Sequence, residues 1–262
     1  MELFDTHCHL DLPRFDADRE EILNRCRNIG INHIVVPAIE QSGWSGLLAL
    51  CAVHDGMLHA ALGLHPMFVE RHEESHLSLL EEAVREHHPV AIGEIGLDYH
   101  SGRQSRERQL ALFDAQLEIA ACAGLPLILH VRKAHDEVLE RLRRHRIPGG
   151  VVHAFNGSLQ QARRYLELGF RFGFGGAVTR PGARRLHRLV RELPLEALLL
   201  ETDAPDMPPE SHRGERNRPD YLVEILDAVA RLRDEDPALI AQRTTASARE
   251  LFGIPGRVGK RQ

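Results

Sequence analysis

The stretch LALFDAQLEIAACAGLPLILH, residues 110–130, contains the unit from which the rest of the chain can be read. Leu110, Phe113 and Leu117 recur at helical spacing and mark one apolar face. Gly124-Leu125-Pro126 then stops the helix and opens the apolar run Leu127-Ile128-Leu129, which ends on His130. Working outward, short apolar runs alternate with amphipathic stretches at intervals of roughly thirty residues. The runs are 3–7, 33–38, 58–62, 90–94, 127–130, 151–154, 170–174 and 198–202.

Near-continuous apolar strands separated by helices imply parallel strands covered on both faces. Ile22, Leu23, Cys26 and Ile29 give the first helix its face, with Gly30 as its C-cap; Ser158 caps a later helix that ends at Gly169. Eight such units close into an α/β TIM barrel, (β/α)8, for which 262 residues are the right length, about 250 being typical. A doubly wound open sheet is the alternative, because periodicity does not count closure. Residues 219–252 read as two more helices that finish the outer ring. Residues 1–253 are thus expected to form one barrel domain, and the Pro/Gly/Lys/Arg-rich end, 254–262, a frayed tail.

Composition narrows the function. Hydrophobic residues at 43% and charged residues at 27% describe a globular protein. A formal net charge of −5 argues against a broad, diffuse grip on nucleic acid but leaves room for a local basic site. No run of 18 apolar residues predicts a membrane span, and the N-terminus has no basic or long apolar segment. Cys8, Cys26, Cys51 and Cys122 are scattered without a Cys-x-x-Cys pair, which suits a reducing cytoplasm.

The polar residues fall where this fold keeps its chemistry, at the C-terminal ends of strands. His7 and His9 close the first strand, Glu94 the fourth, His130 the fifth and His153 the sixth; Asp203 follows the eighth. Side chains two apart on a strand point the same way, so His7 and His9 should enter the mouth together while Cys8 packs inertly against the helical layer. Glu94 is a carboxylate on an apolar strand, costly to bury unless paired or metal-bound. Barrel hydrolases often bridge two metals with a carbamylated lysine. The only lysines here are Lys133 and Lys260, neither on that strand, so a glutamate bridge is expected.

Leu3-Phe4-Asp5-Thr6-His7-Cys8-His9-Leu10-Asp11, Gly93-Glu94-Ile95-Gly96-Leu97-Asp98, Pro126-Leu127-Ile128-Leu129-His130-Val131-Arg132 and Leu200-Glu201-Thr202-Asp203-Ala204-Pro205 closely resemble the TatD family of metal-dependent hydrolases. Gly63-Leu64-His65-Pro66 and Ala204-Pro205-Asp206-Met207-Pro208 are similar to its YjjV-like branch. The resemblance spans nearly the whole chain. It implies an amidohydrolase-like barrel and a divalent-metal-dependent deoxyribonuclease. It also implies two metal ions, one held by His7, His9, Glu94 and Asp203, the second by Glu94, His130 and His153. The segment 212–219 resembles the family's Arg-Gly-x-Arg-Asn loop, which makes Arg213 and Arg216 candidates for substrate binding.

The mechanism expected is phosphodiester hydrolysis of DNA, most simply single-stranded, by a metal-activated water with Asp203 as general base. Arg132 would hold a phosphate through its fork, His65 is a further substrate or supporting residue, and Arg103 and Arg180 add positive charge at the mouth. Histidine-rich ligation suits Zn, Mn or Ni, whereas Mg prefers oxygen. The same site could instead hydrolyse an amide, lactone or aminoacyl ester. A non-enzymatic metal-binding scaffold is the third reading, and an intact Asp203 speaks against it. No membrane and no obligate protein partner are implied.

Overall fold

The apolar runs become eight parallel strands in a single sheet of order β1 to β8, here in a computed structural model that describes residues 1–100, 102 and 104–255. The strands are β1 (Leu3–Asp5), β2 (Ile31–Pro37), β3 (Leu58–Leu62), β4 (Ala91–Asp98), β5 (Leu127–Arg132), β6 (Gly150–Val152), β7 (Phe170–Phe174) and β8 (Leu198–Leu200). Helices α1 (Arg19–Asn28), α2 (Trp44–Val53), α3 (Ser75–His87), α4 (Arg106–Ala123), α5 (His135–Leu142), α6 (Leu159–Leu166) and α7 (Arg184–Glu192) cross between them. Thr6 closes the seam between β8 and β1, donating both its N–H (3.0 Å) and its hydroxyl (3.1 Å) to the Leu200 carbonyl. The barrel thus takes precedence over the open doubly wound sheet.

Alternation along the strands sorts the core into two layers. Leu3, Ile34, Val36, Leu62, Leu127, Leu129, Val152 and Phe172 pack outward against the helices. Phe4, Val35, Ala61, Ala91, Ile128, Val151 and Leu199 fill the barrel interior. His130 and His153 keep the inward phase of Ile128 and Val151, two residues further up their strands, and so stand in the mouth.

Two departures from simple alternation matter. On β4 the register with β5 moves from Ile92↔Leu127 to Ile95↔Leu129, so three residues of β4 span two of β5. This bulge shifts the phase: Ile95 packs outward and Glu94 turns into the mouth, the re-aiming that bulges perform. Gly96 makes it possible, with φ of +143° and a Cβ that would stand 2.0 Å from the His130 carbonyl oxygen. The second departure is at β1, which ends at Asp5 rather than His7. Cys8 is fully buried in the outer layer, as alternation requires of it.

The last two helices are α8 (Leu222–Arg233) and α9 (Pro237–Phe252). Helix α9 joins the outer layer through Ile240 and Ala241, and its last turns do more: Ala248 and Phe252 pack on Phe4 and the inner layer, closing the floor of the barrel opposite the mouth. It ends at Gly253, which adopts the left-handed cap with φ of +64°. Of the expected frayed end, 256–262 lie outside the described residues, as does Arg103.

Candidate metal centre

The mouth is built on buried carboxylates. Asp5 accepts from the His7 N–H (3.2 Å), the Thr202 N–H (3.0 Å) and the Thr202 hydroxyl (2.5 Å). Burial pushes its carboxyl up to about 7 against those three donors. Asp5 thereby ties the chain after β1 to the chain after β8 and brings His7 beside Asp203, whose N–H bonds the His7 carbonyl at 2.8 Å. Asp203 adopts φ of +58°, a left-handed conformation that Asp tolerates better than most residues.

Glu94 stands at the centre and divides its two oxygens. Its Oε2 lies 3.1 Å from His7 Nε2 and 3.5 Å from His9 Nε2; its Oε1 lies 2.9 Å from His130 Nδ1 and 3.2 Å from His65 Nε2. Asp203 Oδ1 faces His7 Nε2 at 3.6 Å, His9 Nε2 at 3.7 Å and His153 Nε2 at 3.6 Å. Among the described residues three overlapping groups could hold cations: His7, His9 and Glu94; His7, His153 and Asp203; His65, Glu94 and His130. His153 stacks on His7 with ring centroids 3.6 Å apart, so it groups with Asp203 rather than with His130 in the closest triads.

The outward nitrogens of these histidines show why the inward ones suit a cation. His9 Nδ1 faces the Pro37 carbonyl at 3.1 Å, which requires a proton there and leaves the Nε2 lone pair inward. His130 Nε2 meets Asp98 Oδ2 at 2.8 Å, so its Nδ1 lone pair faces Glu94. His153 Nδ1 lies 2.9 Å from Glu201 Oε1 and turns Nε2 toward Asp203. Lone pairs converging on carboxylates repel unless a proton or a cation lies between them. Carboxylates and carbonyls behind the ring are the usual support for metal-ligating histidine. Burial disfavours His9⁺, yet Glu94, Asp203 and Asp11 lift it to about 9. Burial likewise opposes His130⁺ and His153⁺, and facing carboxylates raise both.

His65 is different. Its Nδ1 accepts from the Met67 N–H at 3.1 Å, so the neutral ring carries its proton on Nε2, aimed at Glu94 Oε1. Burial lowers it to about 4 despite Glu94, so it is a neutral donor to the bridging carboxylate. Above the cluster opens a cavity of about 510 Å³ lined by Arg132, Asn156, Phe174, Val178 and Met207 among others. Arg132 is half-exposed there, its Nη1 3.9 Å from Asp98. Arg213 lies in an adjoining cavity. Arg216 lines neither: its guanidinium grips Asp18 at 2.5 and 3.0 Å and lies over Phe15, fastening the loop to the start of α1. The next residue, Asn217, is fully buried and donates to the Thr202 and Asp206 carbonyls, both at 2.7 Å.

The family model for TatD related DNase matches residues 4–253. The chain belongs to the TatD family. It is 44% identical to the uncharacterized metal-dependent hydrolase YjjV of Escherichia coli, over 96% of this chain and 98% of that one. It is 33% identical to the 3'-5' ssDNA/RNA exonuclease TatD of Erwinia billingiae, over 97% of this chain and all of that one. The crystal structure of E. coli YjjV superposes with a TM-score of 0.92 at 42% identity, over 97% of this chain and 98% of that one. The protein is a TatD-family metal-dependent hydrolase.

Two buried acids of this TatD-family site escaped the reading of the sequence. Asp98 supports His130, and Glu201 supports His153 while accepting from the Ala154 N–H at 2.7 Å. Both stand inside quoted motifs, and a signal for Glu201 was present in Gly173. A Cβ there would lie 1.9 Å from Glu201 Oε2, so the facing strand must carry a glycine.

Proposed function

We propose that this chain is a nuclease that hydrolyses phosphodiester bonds of single-stranded nucleic acid, with two divalent cations held in the cluster around Glu94. The observation that carries the reading is the split of Glu94, one oxygen toward His7 and His9 and the other toward His130. His7, His9, Glu94 and Asp203 would hold one ion, and Glu94, His130 and His153 the other. Such ions supply Lewis acidity and a water acidified toward about pKa 7. Zn, Mn or Ni suits the imidazoles better than Mg.

The chain's own groups do the rest. Asp203 is buried, which favours its neutral form, but His153, His7 and His9 hold it below the usual carboxylate range. Its Oδ1 is therefore ionised and placed to take the proton of the attacking water. His65 holds Glu94 from the side opposite His7. Arg132 binds a non-bridging phosphate oxygen, and the cavity wall backed by buried Phe174 and Val178 gives a base or sugar a largely apolar setting. Water adds to phosphorus, the P–O bond breaks, and a phosphate monoester and an alcohol leave. The name of the Erwinia billingiae relative, 3'-5' ssDNA/RNA exonuclease, supports this class of substrate. A cytoplasmic location suits the four free cysteines, of which Cys8, Cys26 and Cys51 are buried.

The test is a substrate panel on metal-reloaded protein: single-stranded oligonucleotide, duplex, a neutral carboxylic ester and an aminoacyl ester. Cleavage of the single strand ahead of both esters is expected. Turnover of an ester with no oligonucleotide cleavage would replace the reading with carbonyl chemistry.

A further inference from the structure

The cavity over the ligand cluster continues sideways. Ala177 and Leu186 line it, and both also line a second cavity of about 600 Å³ whose rim carries Arg180 and Arg213. Arg180 is exposed and makes no ion pair among the described residues. The Arg213 side chain is 80% exposed and has only Glu210 nearby, at 3.6 Å, a separation too long for a tight charged hydrogen bond. Between Arg132 at the metal-ligand end and these two arginines, the cavity wall is formed in part by half-buried Ala177 and Leu186 over buried Phe174 and Val178, with Asn156 and Asp206 also lining it. Cations thus stand at both ends of this wall. A single strand presents a matching pattern, with negative phosphates repeated along a backbone that a positively charged groove can track without regard to sequence. A net charge of −5 makes these cations a local feature and not part of a general basic surface.

We infer that the second cavity is a subsite for single-stranded nucleic acid, in which Arg180 and Arg213 bind backbone phosphates of nucleotides adjoining the one that reacts. This rests on the nuclease reading above and adds to it a preference for strands over dinucleotides. Glu210 is the one acid lining the subsite and partly offsets Arg213.

The experiment uses the metal-loaded enzyme and its double variant Arg180→Gln, Arg213→Gln. Cleavage of a dinucleotide and of a strand of about ten nucleotides is measured between about 50 and 200 mM salt. The variant is expected to lose about tenfold in kcat/KM on the long strand at low salt, mainly through KM, and to keep dinucleotide cleavage within about twofold. Removing two phosphate contacts should also flatten the slope of log(kcat/KM) against log[salt] by about 1.4, at about 0.7 per contact for single strands. Equal loss on both substrates, or no loss on either, would overturn the subsite. Both residues are exposed, so the fold is not at risk. If the wild-type enzyme cleaves neither substrate, the nuclease reading fails. The subsite is then decided by binding of the long strand to wild type and variant, where equal affinity and equal salt dependence would sink it too.

Discussion

The Asp203 carboxylate meets His7, His9 and His153 through the single oxygen Oδ1, and the same three rings keep it ionised despite burial. On the reading proposed above, a ligand and a proton acceptor are combined in one group, and Asp203→Asn separates them, because the amide keeps an oxygen for a cation but takes no proton. Turnover on an oligonucleotide should fall by about 10² to 10⁴, the usual worth of a positioned general base, with metal content by elemental analysis falling far less. Near-normal turnover with both ions bound would leave Asp203 as a ligand only. At this scale the sequence was highly legible: His7, His9, Glu94, His130, His153 and Asp203 all converge in the mouth. Asp98 and Glu201 were not legible, since an acid behind a histidine is recognised by its distance to the ring and not by its spacing in the chain. Nor was Arg216, whose motif suggests substrate binding while its guanidinium grips Asp18.

Elements brought the larger surprises. The reading placed Glu94 at the end of its strand, whereas it stands within β4 and points inward because a bulge shifts the alternation by one residue. A bulge has no period to detect; its trace is Gly96, which only the closeness of the His130 carbonyl explains. In the loop after β8, Arg216 and Asn217 likewise suggest a substrate arm in the sequence and act as a fastening in the structure. Asn217 ties the Thr202 and Asp206 carbonyls on either side of Asp203, and both lose their side-chain donor in Asn217→Ala. Urea unfolding should show a loss of about 1–3 kcal/mol, the cost of leaving the buried Thr202 carbonyl without its donor. A change below about 0.5 kcal/mol would mean that the loop is held by other contacts.

Across the whole molecule, length and rhythm were enough to predict a barrel with its chemistry at the C-terminal mouth. They could not show that the last turns of α9 reach under the barrel, because an amphipathic helix reads the same whether its face meets the outer ring or the floor. Near that floor His59 lies 3.0 Å from His33, and burial, reinforced by His33, lowers it to about 4. The folded protein keeps this ring neutral where the unfolded chain protonates it. Its contribution to stability is therefore present above about pH 6.5 and is lost as pH falls toward 4, by at most about 1.4 kcal/mol per pH unit. Unfolding free energies at pH 7, 6 and 5 should fall more steeply for the wild type than for His59→Asn, since all other groups titrate in both. Parallel curves would assign the acid sensitivity to other groups.

If the Glu94 cluster holds two cations that act together on a phosphodiester, stepwise reconstitution with metal shows it. Metal-free protein is titrated with Mn or Zn while bound metal is measured by elemental analysis and oligonucleotide cleavage is followed in parallel. Saturation is expected at two ions per chain, with cleavage rising as the second binds, and His130→Ala should retain a single ion and cleave little. Full cleavage by metal-free protein, or two ions still bound in His130→Ala, would contradict it.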